Sequence, residues 1–161
     1  MRDDSGVPAQ VEFRRIPAGE PPASDLIEAM VLELEAFYGR IDGPGMPSAT
    51  PQEFAPPAGA CLVGYAPDGT ALAVGAVKRL QDGTCEIKRM YVAPQARSRG
   101  VARALLAALE EEARRLGYSR VRLDTGTHQP HARVLYRSEG YREIPDYNGN
   151  PAASFWGEKQ L

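Results

Sequence analysis

The segment between residues 85 and 124 constrains the fold more than any other part of this chain. It consists of an apolar run from Cys85 to Val92, an arginine-rich turn, a long periodic segment that stops at Gly117, and an alternating run from Arg120 to Asp124. In the periodic segment, apolar side chains recur three and four residues apart, as on one face of an α-helix. Because a whole helix separates the two strand-like runs, they can lie parallel in a right-handed β-α-β unit.

Two more apolar runs precede this unit and are joined to it by tight turns. Ala60 to Tyr65 is followed by one Asp-Gly turn, and Ala71 to Leu80 is followed by a second that leads into the run from Cys85. Asp-Gly between apolar runs is a strong β-hairpin signal. We therefore expect an antiparallel meander that continues into the parallel pair.

The rest of the chain supplies flanking elements. Periodicity predicts a strand over Val11–Ile16, a helix over Leu26–Phe37 and a short helix over His131–Glu139, while Tyr141–Ile144 and Ser154–Lys159 are typical of closing strands. The chain is thus predicted to form one α/β domain over residues 1–161. Its central sheet should be mixed and mostly antiparallel, with about four flanking helices.

Two segments are predicted to lack regular structure. Residues 41–60 hold five prolines and three glycines, which favours a loop with at most one short helix near Gln52. A loop of this length in a compact domain is usually functional or disordered, so we interpret it as a lid or substrate-side loop. Residues 1–9 are expected to be flexible.

Composition limits the classes of protein that fit. The 161 residues are 43% hydrophobic and 25% charged, with a formal net charge of −2, which is ordinary for a globular protein and argues against a nucleic-acid binder. Cys61 and Cys85 lack the CxxC spacing of metal sites, so no metal is expected. The first residues lack the apolar core of a signal peptide, and no apolar run approaches the roughly 18 residues of a membrane span. We therefore expect a cytoplasmic enzyme or binding module without membrane or nucleic-acid partners.

Arg97, Arg99 and Arg103 crowd the start of the predicted long helix. A helix N-terminus carries about half a positive charge and four unpaired N–H groups, so added cations destabilise it by a few tenths of a kcal/mol each unless an anion binds. Gly100 and Ala102 keep bulky side chains out of the turn, which lets a ligand approach the backbone. The pattern predicts a phosphate cradle, with a solvated surface turn as the alternative.

At this point the chain resembles the GNAT family of acyl-CoA-dependent N-acetyltransferases, over about residues 10–161. The segment Arg97–Ala102 is similar to the phosphate motif of that family, Gln/Arg-x-x-Gly-x-Gly/Ala. The approach Ile87–Pro94 also looks like the family, and Ala132–Tyr141 resembles its Leu-Tyr-x-x-x-Gly-Tyr/Phe segment. Three segments in the correct order, on the predicted elements, make the resemblance specific.

The resemblance implies how acetyl-CoA is held. The parallel strands should splay where the cofactor enters, leaving main-chain groups that the amide-rich pantetheine arm can pair with at Met90, Tyr91 and Val92. The turn should bind the pyrophosphate through main-chain N–H groups and charged side chains. The residues expected to do so are Arg97, Ser98, Arg99, Gly100, Val101, Ala102 and Arg103.

Gln129 is a further expected cofactor contact. It lies seven residues before Tyr136, where many relatives have an asparagine that contacts pantetheine, and its longer amide could still bond. His128 and His131 flank it. Either histidine could serve as a base or substrate contact, and the alternative is that both are capping or surface residues.

Two side chains are predicted to move protons. By the resemblance, Tyr136 occupies the position of the general acid, and a phenol with a pKa of about 10 stays protonated at neutral pH. Glu86, eleven residues before Arg97, is the predicted general base. It would need a raised pKa or a relaying water. The alternative for Tyr136 is a core tyrosine whose hydroxyl is hydrogen-bonded within the protein. The alternative for Glu86 is a structural glutamate paired with Lys88 or Arg79.

The activity implied is transfer of an acetyl group from acetyl-CoA to a primary amine, by direct attack in a ternary complex. A small metabolite or amino-acid-like acceptor is preferred, because no second domain or extended acidic surface is evident for docking proteins. A protein or peptide N-acetyltransferase and a non-catalytic acyl-CoA-binding sensor are the rivals, and a homodimer is left open. Residues expected near the acceptor are Tyr38, Asp42, Asp146, Tyr147 and Asn148.

Overall fold

A single sheet organises the chain in a computed structural model that describes residues 10–40 and 49–161. Its strands are β1 (Glu12–Arg15), β2 (Ala60–Tyr65), β3 (Ala71–Gln81), β4 (Thr84–Val92), β5 (Arg120–Gly126), β6 (Arg142–Glu143) and β7 (Ala153–Gln160). The helices are α1 (Ala23–Tyr38), α2 (Val101–Arg115) and α3 (Pro130–Ser138), with single 3-10 turns at Pro51–Phe54 and Pro94–Ala96. About four helices were expected. Among the described residues there are three α-helices and two 3-10 turns.

The strand order in the sheet is β1-β2-β3-β4-β5-β7-β6. The first four strands pair antiparallel in sequence order, which confirms the predicted meander. Both Asp-Gly turns place their glycine at positive φ, 89° at Gly69 and 72° at Gly83, where a side chain would be strained. Short hairpins therefore bring β4 to the middle of the sheet.

The parallel pair of β4 and β5 is short. Only three residue pairs join the two strands, from Thr84 opposite Arg120 to Glu86 opposite Arg122. Beyond that point β4 continues to Val92, while β5 continues to Gly126 paired only with β7 on its other side. The two strands separate there, as expected, and leave a gap in the middle of the sheet.

β4 also carries a β-bulge on the side that faces β3. The register steps by two residues on β3, from Val74 to Ala76, and by three on β4, from Tyr91 to Lys88. Arg89 lies within this step with φ of 60°, a left-handed conformation that is uncommon for residues other than glycine. Such a bulge re-aims the side chains around it, here at the edge of the gap.

Helices cover both faces of the sheet. From α2, Val101, Leu105, Leu106 and Leu109 are buried against one face, and α1 packs on the other with Met30 buried. Burying one leucine side chain stabilises a protein by about 1.5–3 kcal/mol, so this face holds the start of α2 firmly beside the end of β4.

The two segments predicted to be irregular lie partly outside the described residues. The prediction for residues 1–9 and the first part of the loop, residues 41–48, falls outside them. Residues 49–60 are described and include the short helix expected near Gln52, whose Phe54 is buried. None of the helices in the described ranges has the length and apolar character needed to span a lipid bilayer.

Candidate active site

A cleft of about 140 Å³ opens where β4 and β5 separate. Residues of both strands, of α1 and of α3 line it, among them Met30, Arg89, Asp124 and Tyr136. The cleft therefore lies at the point where the sheet ladder is interrupted and main-chain groups are open to a ligand.

The turn before α2 has the geometry of an anion cradle. Ser98 and Gly100 have φ of 62° and 77°, and Gly100 is the N-cap of α2 without any side-chain cap. The first turn of α2 contains no acidic residue, and the N–H groups of Val101, Ala102 and Arg103 have no partner within the helix. A Cβ at Gly100 would meet no protein atom within 4 Å, so the space beside the turn is open. These features fit a diphosphate group.

The three arginines of the turn differ in their partners. Arg97 donates through Nε to the Val92 carbonyl at 2.9 Å and pairs with Glu33 of α1 at 2.8 Å. Arg103 forms an ion pair with Glu139 at the end of α3. Arg99 makes no hydrogen bond or ion pair with any described residue. Of the three predicted side-chain contacts to phosphate, only that of Arg99 is free to form without breaking another interaction.

The backbone expected to meet the pantetheine arm borders the gap. Tyr91 and Val92 pair with β3 on one side, and β5 has already diverged on the other. Met90 lies in the bulge step and has no ladder partner. The Val92 carbonyl accepts one hydrogen bond, from Arg97 Nε, and its second lone pair remains for a ligand.

The Tyr136 hydroxyl reaches the cleft from α3. The side chain is buried, and its only hydrogen-bond acceptor among the described residues is the Met90 sulfur at 3.6 Å. A thioether is a weak acceptor, so the hydroxyl keeps most of its capacity to donate. Burial raises the pKa of Tyr136, and the charge of Asp124 adds to the shift. The phenol is thus held protonated beside the gap.

Glu86 is the last residue of β4 that pairs with β5, and it lies outside the lining of the cleft. It is buried and accepts hydrogen bonds from the Tyr147 hydroxyl at 2.5 Å and from Asn148 Nδ2 at 3.3 Å. Lys88 Nζ lies 3.4 Å from its other carboxylate oxygen, whereas Arg79 pairs with Asp82 instead. Since Glu86 does not line the cleft, an acceptor amine would reach it only through an intervening group.

Asn148 links the Glu86 carboxylate by hydrogen bonds to a second carboxylate, that of Asp124, which the sequence analysis did not single out. Asn148 Nδ2 also donates to Asp124 Oδ2 at 2.5 Å, and Asn150 Nδ2 donates to the same oxygen at 3.3 Å. Asp124 lines the cleft, two residues past the point where β5 leaves β4. The signal in the sequence is the polar alternation along β5, but only the register with β4 places Asp124 beside the gap.

Gln129, a predicted cofactor contact, hydrogen-bonds to the end of β5. Gln129 Oε1 accepts hydrogen bonds from the Gly126 N–H and the Thr125 hydroxyl, both at 3.3 Å. Gln129 lines the cleft, and none of the described residues accepts a hydrogen bond from its Nε2. The predicted pantetheine contact is therefore left to the amide nitrogen of this side chain.

The two histidines occupy positions around the mouth of the cleft. The His128 ring stacks on Phe37, with centroids 5.4 Å apart, and its backbone N–H donates to the Tyr38 hydroxyl at 2.8 Å. Tyr38 lines the cleft, but His128 and His131 are exposed and do not line it. Asp42, also expected near the acceptor, lies outside the described residues, and Asp146 caps the turn at Asn148.

Comparison with known proteins agrees with this geometry. The model of the acetyltransferase (GNAT) family matches residues 27–141. An Azospirillum brasilense protein named IAA acetyltransferase is 33% identical over 153 residues, which cover 89% of this chain and 96% of the relative.

Solved structures share the fold. A Klebsiella pneumoniae protein with the provisional name acyl-CoA N-acyltransferase superposes with a TM-score of 0.73 and 28% identity, covering 94% of this chain and 98% of that one. A GNAT family acetyltransferase from Elizabethkingia anophelis, solved with acetyl-CoA bound, has a TM-score of 0.67 and 18% identity over 94% of this chain and 98% of its own. Since the family match spans the strands that separate, the arginine-rich turn of residues 97–103 and Tyr136, the chain belongs to the GNAT family and is an acyl-CoA-dependent N-acetyltransferase.

Proposed function

We propose that this enzyme transfers the acetyl group of acetyl-CoA to the primary amine of a small metabolite or amino-acid-like acceptor, with both substrates bound at once. The observation that carries the proposal is the gap between β4 and β5, which has an anion cradle at one end and the Tyr136 hydroxyl beside it. When bound, acetyl-CoA supplies a thioester carbon that a neutral amine can attack.

The residues of the turn and of β4 would hold the cosubstrate. The N–H groups at the start of α2, with the Arg99 side chain, would bind the diphosphate. The main chain from Met90 to Val92 and the Gln129 amide nitrogen would hydrogen-bond the pantetheine arm in place of the missing strand neighbour.

Glu86 is proposed as the base that takes the proton from the acceptor ammonium. The Tyr147 hydroxyl, 2.5 Å from Glu86 Oε2, would relay that proton together with one further group, because neither residue lines the cleft. Asn148 and Lys88 hold the carboxylate in one orientation, which keeps the relay geometry constant.

Tyr136 is proposed as the acid. Its hydroxyl is protonated at neutral pH, and its weak partner, the Met90 sulfur, is easily exchanged for the departing sulfur of the cosubstrate. Proton transfer from a positioned group contributes about 10²–10⁴-fold to such reactions.

The size of the cleft supports a small acceptor over a protein. Its volume of about 140 Å³ is below the roughly 300–1,000 Å³ of common ligand pockets, and α1 closes one side through Leu34 and Tyr38. The name of the Azospirillum relative, IAA acetyltransferase, also supports an acceptor other than a protein.

The test is release of CoA from acetyl-CoA in the presence of a panel of amines, amino acids and peptides. We expect turnover with small amines and little with peptides, and severe loss of turnover in Tyr136→Phe. Turnover restricted to peptides would replace the small acceptor with a protein substrate. Acetyl-CoA binding by calorimetry, without CoA release on any acceptor, would favour a non-catalytic sensor.

A further inference from the structure

Arg89 is a partly buried cation without a counter-ion among the residues that the structure describes. It lines the cleft, and it makes no hydrogen bond or ion pair with any residue in the ranges 10–40 and 49–161. Burial lowers the pKa of its guanidinium. A charge removed from water without a partner is unfavourable, so the site is suited to an anion that arrives with a ligand.

The two acidic side chains whose charges act on Arg89, Glu86 and Glu53, do not form an ion pair with it. The charges of Glu86 and Glu53 act on it from a distance, but Glu86 is paired with Lys88 at 3.4 Å and Glu53 with Lys78 at 3.3 Å. Each of these carboxylates already has a lysine partner. Arg89 therefore differs from Lys88, its neighbour on the strand, in having no described carboxylate of its own.

The backbone at Arg89 also indicates a specific role. Its φ of 60° places a non-glycine residue in the left-handed region, within the β4 bulge. Residues held in such conformations cost about 1–3 kcal/mol and cluster at ligand sites. The bulge turns this side chain toward the cleft instead of into the regular alternation of the strand.

The same cleft carries one carboxylate with an open oxygen. Asp124 Oδ2 accepts from Asn148 and Asn150, whereas no described residue donates to Oδ1. The two asparagines orient the carboxylate without neutralising it, because amides carry no charge. The cleft thus has the Asp124 anion on β5 and two cations on β4, of which Lys88 is paired with Glu86 and Arg89 has no described counter-ion.

We propose that the acceptor is a free amino acid or a close analogue, with its ammonium bound by Asp124 and its carboxylate bound by Arg89. This inference rests on the proposed function and names the substrate class for it. Arginine and carboxylate form strong paired hydrogen bonds, and a planar guanidinium suits them better than a lysine would. Met30 and Leu34 of α1 line the cleft and would contact an apolar side chain of the acceptor.

Selectivity follows from the unpaired charge. An amine that lacks a carboxylate leaves the partly buried Arg89 without a described counter-ion, whereas an amino acid supplies one. We expect kcat/KM for an L-amino acid to exceed that for its carboxamide, and that for the matching decarboxylated amine, by roughly 10- to 100-fold. The assay is CoA release with each member of such matched sets.

Arg89→Gln should abolish this preference. The variant should lower kcat/KM for amino acids by roughly 10- to 100-fold and leave that for amides and decarboxylated amines within about threefold. Arg89→Lys, which keeps the charge but not the planar fork, should restore part of the preference. Arg79→Gln is the matched control, since Arg79 pairs with Asp82 on an exposed turn away from the cleft.

Asp124→Asn should give a different pattern. Because every acceptor in the panel carries an ammonium group, this variant should lose activity on all of them by a similar factor. Acetyl-CoA affinity measured by calorimetry should stay within about twofold in both the Arg89 and Asp124 variants. Circular dichroism and urea unfolding identify any variant that fails to fold, and Arg89→Lys then takes the place of Arg89→Gln.

The possible failures are distinguishable. Turnover of wild-type enzyme on amines without preference for carboxylates, or a preference that survives in Arg89→Gln, would overturn this inference and leave the proposed function intact. Absence of turnover with every acceptor would overturn the proposed function. In that case calorimetric titration of the CoA-saturated protein with the same amino acids decides the inference: binding that is lost in Arg89→Gln supports it, and absence of binding overturns it.

Discussion

The Arg97 guanidinium donates to both oxygens of the Glu33 carboxylate, at 2.9 and 2.8 Å, and this pair ties the phosphate turn to α1. The same side chain lies over the Tyr91 ring, 5.5 Å from its centroid. An arginine that sequence reasoning assigned to phosphate binding therefore already has an anionic partner within the protein. Glu33 belongs to α1, and α1 also lines the cleft.

Arg99 should contribute more than Arg97 to acetyl-CoA binding. Using Arg97 for phosphate breaks a pair worth about 0–1 kcal/mol at this degree of exposure, whereas Arg99 has no described partner to lose. We expect Arg99→Gln to raise the acetyl-CoA Kd about tenfold and Arg97→Gln about threefold or less, measured by calorimetry at low salt. A larger loss in Arg97→Gln would show that its pair with Glu33 opens when the ligand binds.

Gly100→Ala should impair both stability and cofactor binding. Alanine in the left-handed region costs about 1–2 kcal/mol, and a turn that relaxes to negative φ would redirect the N–H groups of the cradle. Gly117→Ala is the matched control, because Gly117 has φ of 95° and equally open space at the far end of α2. Urea unfolding should show similar destabilisation in both variants, and calorimetry should show weaker acetyl-CoA binding only in Gly100→Ala. Equal binding by the two variants would argue against the cradle.

Tyr136→Phe should lower kcat by about 10²–10⁴-fold, with the acetyl-CoA Kd nearly unchanged. Because the pKa of Tyr136 is raised, the phenol keeps its proton above the ordinary value of 10.0, so it should cause no alkaline loss of kcat below about pH 10. The pH profile of kcat in wild type and variant checks this. An alkaline limb below pH 9 that disappears in Tyr136→Phe would contradict the raised pKa.

Glu158 should stabilise the closing strands in a pH-dependent way. Its carboxylate accepts hydrogen bonds from Arg142 at 2.7 Å and Arg122 at 2.9 Å, and these, led by Arg142, lower its pKa from the ordinary 4.5. A lowered folded-state pKa gives stability that is present above 4.5 and is lost as the pH falls through the folded value. Glu158→Gln should therefore reduce the free energy of unfolding by about 1–3 kcal/mol at pH 7 and by less near pH 3.

The control for that experiment is Glu111→Gln. Glu111 pairs with Arg114 and Arg115 on the exposed face of α2, where ion pairs contribute about 0–1 kcal/mol. Urea unfolding at both pH values should show little difference from wild type. A change at Glu158 that is equally small, or that persists unchanged in acid, would mean that burial of the glutamate outweighs its arginine contacts.

The elements of the fold were predictable because their signals are local. The two Asp-Gly turns fixed the hairpins, and the prediction for β2 matches its observed bounds of Ala60–Tyr65. The prediction of a strand over Arg120–Asp124 fell two residues short of the end of β5 at Gly126. The extra residues, Thr125 and Gly126, pair with Phe155 and Ala153 of β7, far along the chain, and periodicity within one segment cannot indicate such a partner.

The site was predictable only in part. The predictions for Tyr136 and for the turn of residues 97–103 follow from residues that are close together in sequence. The structure places Tyr136 in the lining of the cleft and the turn between the end of β4 and the start of α2. The positions of Arg89 and Asp124 in the cleft lining escaped sequence reasoning. Arg89 faces the cleft because of a bulge in the β3–β4 register, and a register is a property of two strands together.

By itself the sequence determined the order of strands and helices, the hairpin turns and the position at which α2 begins, since backbone sterics and hydrophobic periodicity act over a few neighbouring residues. The tertiary structure alone decided which charges remain uncompensated: Arg97 and Arg103 meet carboxylates from distant helices, while Arg89 and Arg99 meet none among the described residues. Coulombic pairing depends on distance in space and on desolvation, and neither quantity exists until the chain has folded.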